Sequence, residues 1–177
     1  MVYPDILAGR RITAALLRSM IPMEVYKPSN TDRASTTTLA DDPDLTVELE
    51  GNATYRVEFW LHFAAINLDG GSPAGRFKTN WRVPSGATFL RGALGPDQGQ
   101  SLSGTAGGQG RWGVHASGTD VTYGSRDSST NQCIAIEDGI VFTSSAGTLA
   151  LQWAQQVSYS GATRLGSGSY MKVRRIA

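Results

Sequence analysis

Two runs of alternating apolar and polar residues constrain this chain more than anything else in it. Leu45, Val47 and Leu49 form the first run; Tyr55, Val57, Phe59, Leu61 and Phe63 form the second. A period of two places every apolar side chain of a run on one face of an extended strand. Between them lie Gly51 and Asn52, the residue types that best tolerate positive φ. The pair is expected as two strands folded back on each other. Trp60 falls on the face opposite Phe59 and Leu61, so the second strand carries large apolar groups on both sides. A strand wetted on one face does not do this, which predicts that a second layer or another subunit covers Trp60.

The remainder reads as β-structure from about residue 32 onward. Phe77, Thr79, Trp81 and Val83 alternate, and Pro84-Ser85-Gly86 turns the chain into 87–91. Further strands are expected at 111–115, 120–123, 134–143, 148–157 and 169–176, with 134–143 and 148–157 as another folded-back pair around Ser144–Gly147. Trp81 and Trp153 share faces with apolar neighbours and are expected in the core. The 21 glycines among 177 residues suit short strands joined by turns. Seven to nine short strands without intervening helices predict an antiparallel β-sandwich, of jelly-roll or tumour-necrosis-factor-like type. Residues 92–110, poor in apolar side chains, are expected as an exposed loop.

Residues 1–31 differ. Ile12, Leu16, Leu17 and Met20 make one apolar stripe on a short helix, with Asp5 as its expected cap and Pro22 as its stop. So short a helix must bury its stripe against something. The expected organisation is an anchoring segment over 1–31 and a β head over 32–177, with Ile12, Leu16, Leu17, Met20 and Trp60 as subunit or particle contacts.

The residues point away from catalysis. Sixteen basic and fifteen acidic side chains are interspersed, which gives no electrostatic case for nucleic acid. With two histidines and one cysteine, no catalytic motif, cofactor site or metal cluster is expected. Asp41-Asp42-Pro43-Asp44 lacks the spacing of a calcium loop and is expected as a solvated turn. Glu58 and Glu137 lie in predicted strands and would be the carboxylates of a cell-wall glycosidase, the least favoured reading. No segment is long and apolar enough to span a membrane, and residues 1–5 show no secretory signal, so synthesis in a cytoplasm is expected.

Six segments resemble a family of virion-associated proteins from tailed phages and prophages of actinobacteria. They are Gly9–Leu17 (GRRITAALL), Ala34–Pro43 (ASTTTLADDP), Asn52–Glu58 (NATYRVE), Trp81–Ala87 (WRVPSGA), Gly147–Gln155 (GTLALQWAQ) and Gly168–Ile176 (GSYMKVRRI). The resemblance runs from residue 8 to the end and weakens over 92–110. It implies a structural protein of the virion, at the tail tip or a tail fibre, assembling with itself as a trimer and with other virion proteins. The alternative is a decoration protein that reinforces the capsid. The resemblance implies no catalytic residues and no cofactor. Contact with host cell-surface carbohydrate would fall to Trp112 and Tyr123, the aromatic residues available in 92–130.

Overall fold

The computed structural model describes residues 8–9, 11–102 and 109–177. Among them, α1 (Ala14–Ser19) is followed by β1 (Met23–Tyr26), β2 (Thr31–Arg33), β3 (Ala40–Leu49), β4 (Ala53–Ala65), β5 (Leu68–Asp69), β6 (Ser72–Pro73) and β7 (Phe77–Arg82). Then come β8 (Thr88–Pro96), β9 (Gly110–Ala116), β10 (Val121–Tyr123), β11 (Ser128–Thr143), β12 (Gly147–Gln155), β13 (Thr163–Leu165) and β14 (Tyr170–Arg175). The fold is the expected all-β antiparallel sandwich with one short helix. Its large sheet runs β1–β14–β4–β11–β8–β9, with β13 and β2 continuing beside the end of β4. A four-stranded sheet, β10–β7–β12–β3, packs over it.

The core lies between the two sheets. From the large sheet come Tyr55, Val57, Phe59, Leu61 and Phe63, all from the alternating run on β4. Leu45 and Leu49, Phe77 and Trp81, and Leu149, Leu151 and Trp153 face them from the smaller sheet. Phe63 stacks on Phe77 at 4.6 Å between ring centres, and Phe59 meets Trp81 at 5.2 Å. Such aromatic pairs contribute about 0.5–1.5 kcal/mol each beyond the area they bury.

The two folded-back pairs expected from the sequence are not hairpins. β3 pairs with β12 and β4 pairs with β11, so each connection carries the chain from one sheet to the other. Both β3 and β4 bury an apolar face in the same core, which they do only from opposite sheets. Asn52, at φ +52°, supplies the sharp corner, and the Tyr55 hydroxyl accepts the Glu50 N–H at 2.9 Å. The second arch lies against the first. Thr143 Oγ1 accepts the Ala53 N–H at 3.1 Å and donates to the Glu50 carbonyl at 2.8 Å. The backbones are so close at Gly51 that a Cβ would sit 3.0 Å from the backbone of Ser145 and Ala146.

The helix is shorter than the periodicity predicts. Thr13 is its N-cap, with its hydroxyl accepting the Leu16 N–H at 3.1 Å, so Ile12 precedes the helix. The expected cap, Asp5, lies outside the described residues. Ser19 ends the helix three residues before Pro22.

The boundary expected at residue 31 is also displaced. β1 pairs in register with β14, Met23 opposite Val173 and Tyr26 opposite Tyr170, which places 23–31 inside the head. Lys27 next to it is fully buried, and its ammonium donates to Asp42 at 3.0 Å and Asp44 at 2.7 Å. Asp42 is therefore no solvated turn residue. It sits within β3, accepts the Asp44 and Leu45 N–H groups at 3.1 Å and the Trp153 indole N–H at 3.1 Å. A proline and three carboxylates hid a strand because a register shift between β3 and β12 falls on this segment.

Removing one partner of a buried ion pair leaves the other charge uncompensated. Lys27→Met should therefore destabilise the head by about 4 kcal/mol and lower its melting temperature by about 10 °C. A chain starting at Pro22 should melt as the full chain does, whereas one starting at Thr31, without β1 and Lys27, should melt far lower or fail to fold. Circular-dichroism melts of the three proteins test this directly.

Candidate interaction surface

Glu137, on β11, is fully buried between the sheets and accepts four hydrogen bonds. Arg91 on β8 reaches Oε2 at 2.7 Å, and the Trp81 indole N–H reaches the same oxygen at 2.6 Å. Thr79 Oγ1 and the Tyr123 hydroxyl donate to Oε1 at 2.5 and 2.9 Å. Arg91 also donates to the carbonyls of Thr79 and Thr119, at 3.1 and 2.8 Å. The carboxylate thus ties β8 and β11 of the large sheet to β7 and β10 of the small one. Burial, then the neighbouring Glu137 charge, pushes the Tyr123 phenol well above its ordinary range and keeps it a neutral donor.

This inward junction sets what points outward. Strand alternation sends the residues flanking Arg91 and Glu137 to the solvent face. On β11 these are Ile134, Ile136, Asp138, Ile140 and Phe142; on β8, Leu90, Gly92 and Leu94; on β9, Trp112 and Val114. Register aligns Tyr170, Trp60, Ile136, Leu94 and Trp112 in one row across five strands. The next row is Lys172, Glu58, Asp138, Gly92 and Val114. The face is consequently divided lengthwise. Toward β14 and β4 it carries charges, with Arg56 bridging Glu58 and Asp138 at 3.0 Å each. Toward β8 and β9 it is aliphatic and aromatic, with Trp112 77 %, Val114 75 % and Leu90 53 % exposed.

Two glycines shape this apolar half. A Cβ on Gly110 would lie 2.7 Å from the Trp112 indole, so the ring rests over the bare backbone of residue 110. Gly92 leaves a shallow hollow lined by Leu94, Trp112, Val114, Ile136 and Asp138.

The residues singled out from the sequence are redistributed accordingly. Trp60 has no covering layer among the described residues; it lies on the outer face, 37 % exposed and stacked parallel on Tyr170 at 6.2 Å. Trp112 is on that same face. Tyr123 is not available to a host ligand, because it is fully buried on Glu137. Glu58 and Glu137 project from opposite faces of their sheet and do not converge on a cleft. The expected loop 92–110 begins only at Asp97, since Gly92–Pro96 completes β8, and its residues 103–108 lie outside the described set. Ile12, Leu17 and Met20 are exposed, while Leu16 is half-buried. Leu90, Leu94, Val114, Ile134 and Phe142 were missed as surface residues. Their signal was present in the unbroken Cys133–Ile136 run and in Phe89-Leu90, where apolar residues occupy both faces of a strand.

His115 points inward opposite Arg91, and burial, then Arg91 and Arg111, lower its pKa below 6.5. Cys133 is buried on the core side of β11, where desolvation raises its pKa to about 11. No helix among the described residues is long and apolar enough to cross a membrane.

The sequence matches no described protein family and no characterised protein. Among solved structures, the infectious bursal disease virus VP2 subviral particle is similar over 88 % of this chain and 40 % of that one, at 9 % identity and a TM-score of 0.19. The structure of the infectious bursal disease virus Gx strain is similar over 99 % of this chain and 44 % of that one, with the same identity and score. This chain thus spans less than half the length of either, and superpositions this loose carry nothing over to it.

Two outcomes are expected for the junction beneath the face. Glu137→Gln should cost about 3–5 kcal/mol by leaving the Arg91 charge buried without its partner, and Glu137→Leu should cost more in denaturant titrations, because Thr79, Trp81 and Tyr123 then lose their acceptor as well. Because His115 titrates lower in the folded chain than when unfolded, the unfolded state binds the extra proton first as pH falls below 6.5. Stability should decline there, and His115→Gln should flatten the decline in melts recorded across that range.

Proposed function

We propose that this chain is a structural protein of a phage virion, a component of the tail tip or a tail fibre that works by assembly and not by catalysis. The observation that carries this reading is the pairing of a compact β head with an apolar segment outside its core. Ile12, Leu17, Met20 and Ile21 are between 49 and 67 % exposed, next to a sandwich whose own core is complete without them. Apolar surface presented in that way is a docking element. The segments that resemble the actinobacterial phage family support the same reading and favour a homotrimer.

Trp112 takes a different part in this reading from the carbohydrate contact expected of it. Its nearest neighbours on the face are Leu94 and Val114, and the Asp138 carboxylate across the hollow is already paired with Arg56, a lining that suits another protein surface better than a sugar. The host-facing side then falls to other parts of the molecule. The outer face of the four-stranded sheet is polar, with Lys78, Asn80, Arg82 and Gln152 projecting from it.

Phage particles produced with a Leu17→Glu, Met20→Glu chain should lack the protein, although the purified variant melts as the original does. Full incorporation of that variant would remove the docking role of the segment. A stained gel of intact particles separates the locations: a few to a few dozen copies fit the tail, and hundreds fit a capsid decoration protein.

A further inference from the structure

An amine and two carboxylates meet at Lys27, Asp42 and Asp44, at the edge where β1 and β3 approach each other. Lys27 and Asp42 are wholly buried, and only Asp44 reaches the surface, with 28 % of its side chain exposed. The backbone of Lys27 is fixed on both sides: its N–H donates to the Ser169 carbonyl at 2.7 Å, and its carbonyl accepts the Gly168 N–H at 2.9 Å. From there Nζ lies 3.2 Å from Oδ1 and 3.0 Å from Oδ2 of Asp42. With both oxygens this near, the carboxyl carbon between them is no more than about 3.5 Å from Nζ, the separation of a near-attack arrangement. The two oxygens are held differently. Oδ1 accepts the N–H groups of Asp44 and Leu45, each at 3.1 Å, whereas Oδ2 accepts the Trp153 indole N–H at 3.1 Å. Two backbone donors on one oxygen stabilise negative charge that develops there. The second carboxylate, Asp44, holds its Oδ2 2.7 Å from Nζ, in reach of the ammonium protons.

We propose that Lys27 Nζ and Asp42 Cγ condense to an amide, an isopeptide cross-link within the chain, with Asp44 as the proton carrier. Asp44 takes one proton from the ammonium and frees the nitrogen lone pair, which attacks Cγ. Negative charge collects on Oδ1, between the two backbone N–H groups. Asp44 then passes its proton to Oδ2, and carries a second proton from nitrogen to the same oxygen. The Cγ–Oδ2 bond breaks, and Oδ2 leaves as water past the exposed edge of Asp44. One ammonium and one carboxylate enter the step; one amide and one water come out. The nitrogen keeps one hydrogen, Asp44 ends as it began, and nothing is oxidised or reduced. Burial supplies the direction, since two charges kept from water carry a desolvation penalty that the amide does not. The same burial keeps water from reversing the bond. The product also fits the site, because the amide oxygen inherits the donors of Oδ1 and the amide N–H faces Asp44.

The bond would fasten the least secured strand of the large sheet. β1 pairs with β14 alone, over four residues at the sheet edge. Through Lys27 it becomes joined covalently to β3, in the other sheet. Because α1 leads directly into β1, a load applied at α1 passes into the head through that bond and not through four edge pairings. The cross-link is a property of the head itself and stands whether or not the chain serves in a virion.

The test is the mass of the purified full chain after denaturation. The wild type should weigh one water less than its sequence, with no enzyme or cofactor added. Cleavage after Glu24 and Glu48 should release 25–48 with the same deficit. Fragment spectra of that peptide should show breaks outside 27–42 and none within it, which places the link at Lys27 and Asp42. Lys27→Arg, which keeps the cation, and Asp44→Asn, which keeps the size, should each restore the full mass while circular dichroism shows the wild-type fold. If Asp44→Asn does not fold, Lys27→Arg carries the comparison. A wild-type chain of full sequence mass would overturn the inference. So would a deficit that survives in Lys27→Arg, or one that maps to a cyclised aspartate with breaks inside 27–42 still visible. A deficit that persists in folded Asp44→Asn would overturn the part given to Asp44.

Discussion

A single buried carboxylate holds the two sheets of this protein in their relative positions. Glu137 receives Arg91 from its own sheet and Thr79, Trp81 and Tyr123 from the other. Burying an ion pair is weak evidence of net stability, because desolvation offsets much of the attraction. Its effect here is on specificity. A slip of β8 or β11 by one residue would carry Arg91 or Glu137 to the outside and drive isoleucines and leucines into a core already full of aromatic rings. The junction tolerates one register only. Over these strands one ion pair lies inside among Phe89, Ala93, Ala135 and Val141, while aliphatic groups lie outside. The same alternation that turns Arg91 and Glu137 inward turns Leu90, Leu94, Ile136 and Phe142 outward.

Strands were legible in the sequence wherever one face of a run stays in the core. Tyr55 to Phe63, Phe77 to Trp81 and Leu149 to Trp153 all keep the expected orientation. Connections were less legible, because local turn chemistry says how sharply the chain bends but not whether it stays in the same sheet. Gly51 and Asn52 serve an arch as well as a hairpin, and only the demand that β3 and β4 share one core decides between them. Buried charge was not legible at all. Lys27 and Asp42 are fifteen residues apart, and nothing local marks either of them as internal. The aromatic residues of 92–130 were read in reverse for a related reason. Tyr123 is drawn inward by a partner fourteen residues away in sequence, while Trp112 keeps the outward phase of a short edge strand.

The two outer faces differ in kind. The four-stranded sheet presents lysine, arginine, asparagine and glutamine, many of them tied to one another or to backbone, as in Asn80 to Asp120 at 2.8 Å and Gln152 to Asp41 at 2.8 Å. The eight-stranded sheet presents tryptophan, valine and leucine along one half. The molecule thus has one outer face suited to water and one that carries an apolar patch. The charged half near β14 and β4 is internally neutral, so it neither drives nor opposes assembly over distance.

The placement of β14 bears on how the protein is made. It follows the other described strands in sequence, yet it sits between β1 and β4, and Thr54 next to it bonds to the backbone of Ile176 and Ala177. Until residues 170–175 emerge, β1 has no strand to pair with and one edge of β4 stays open along most of its length. The long central strand, with aromatic residues on both faces, therefore keeps an open edge until those residues are made. Unpaired strands of this composition are the ones that recruit other chains. During that stage disordered self-association competes with folding.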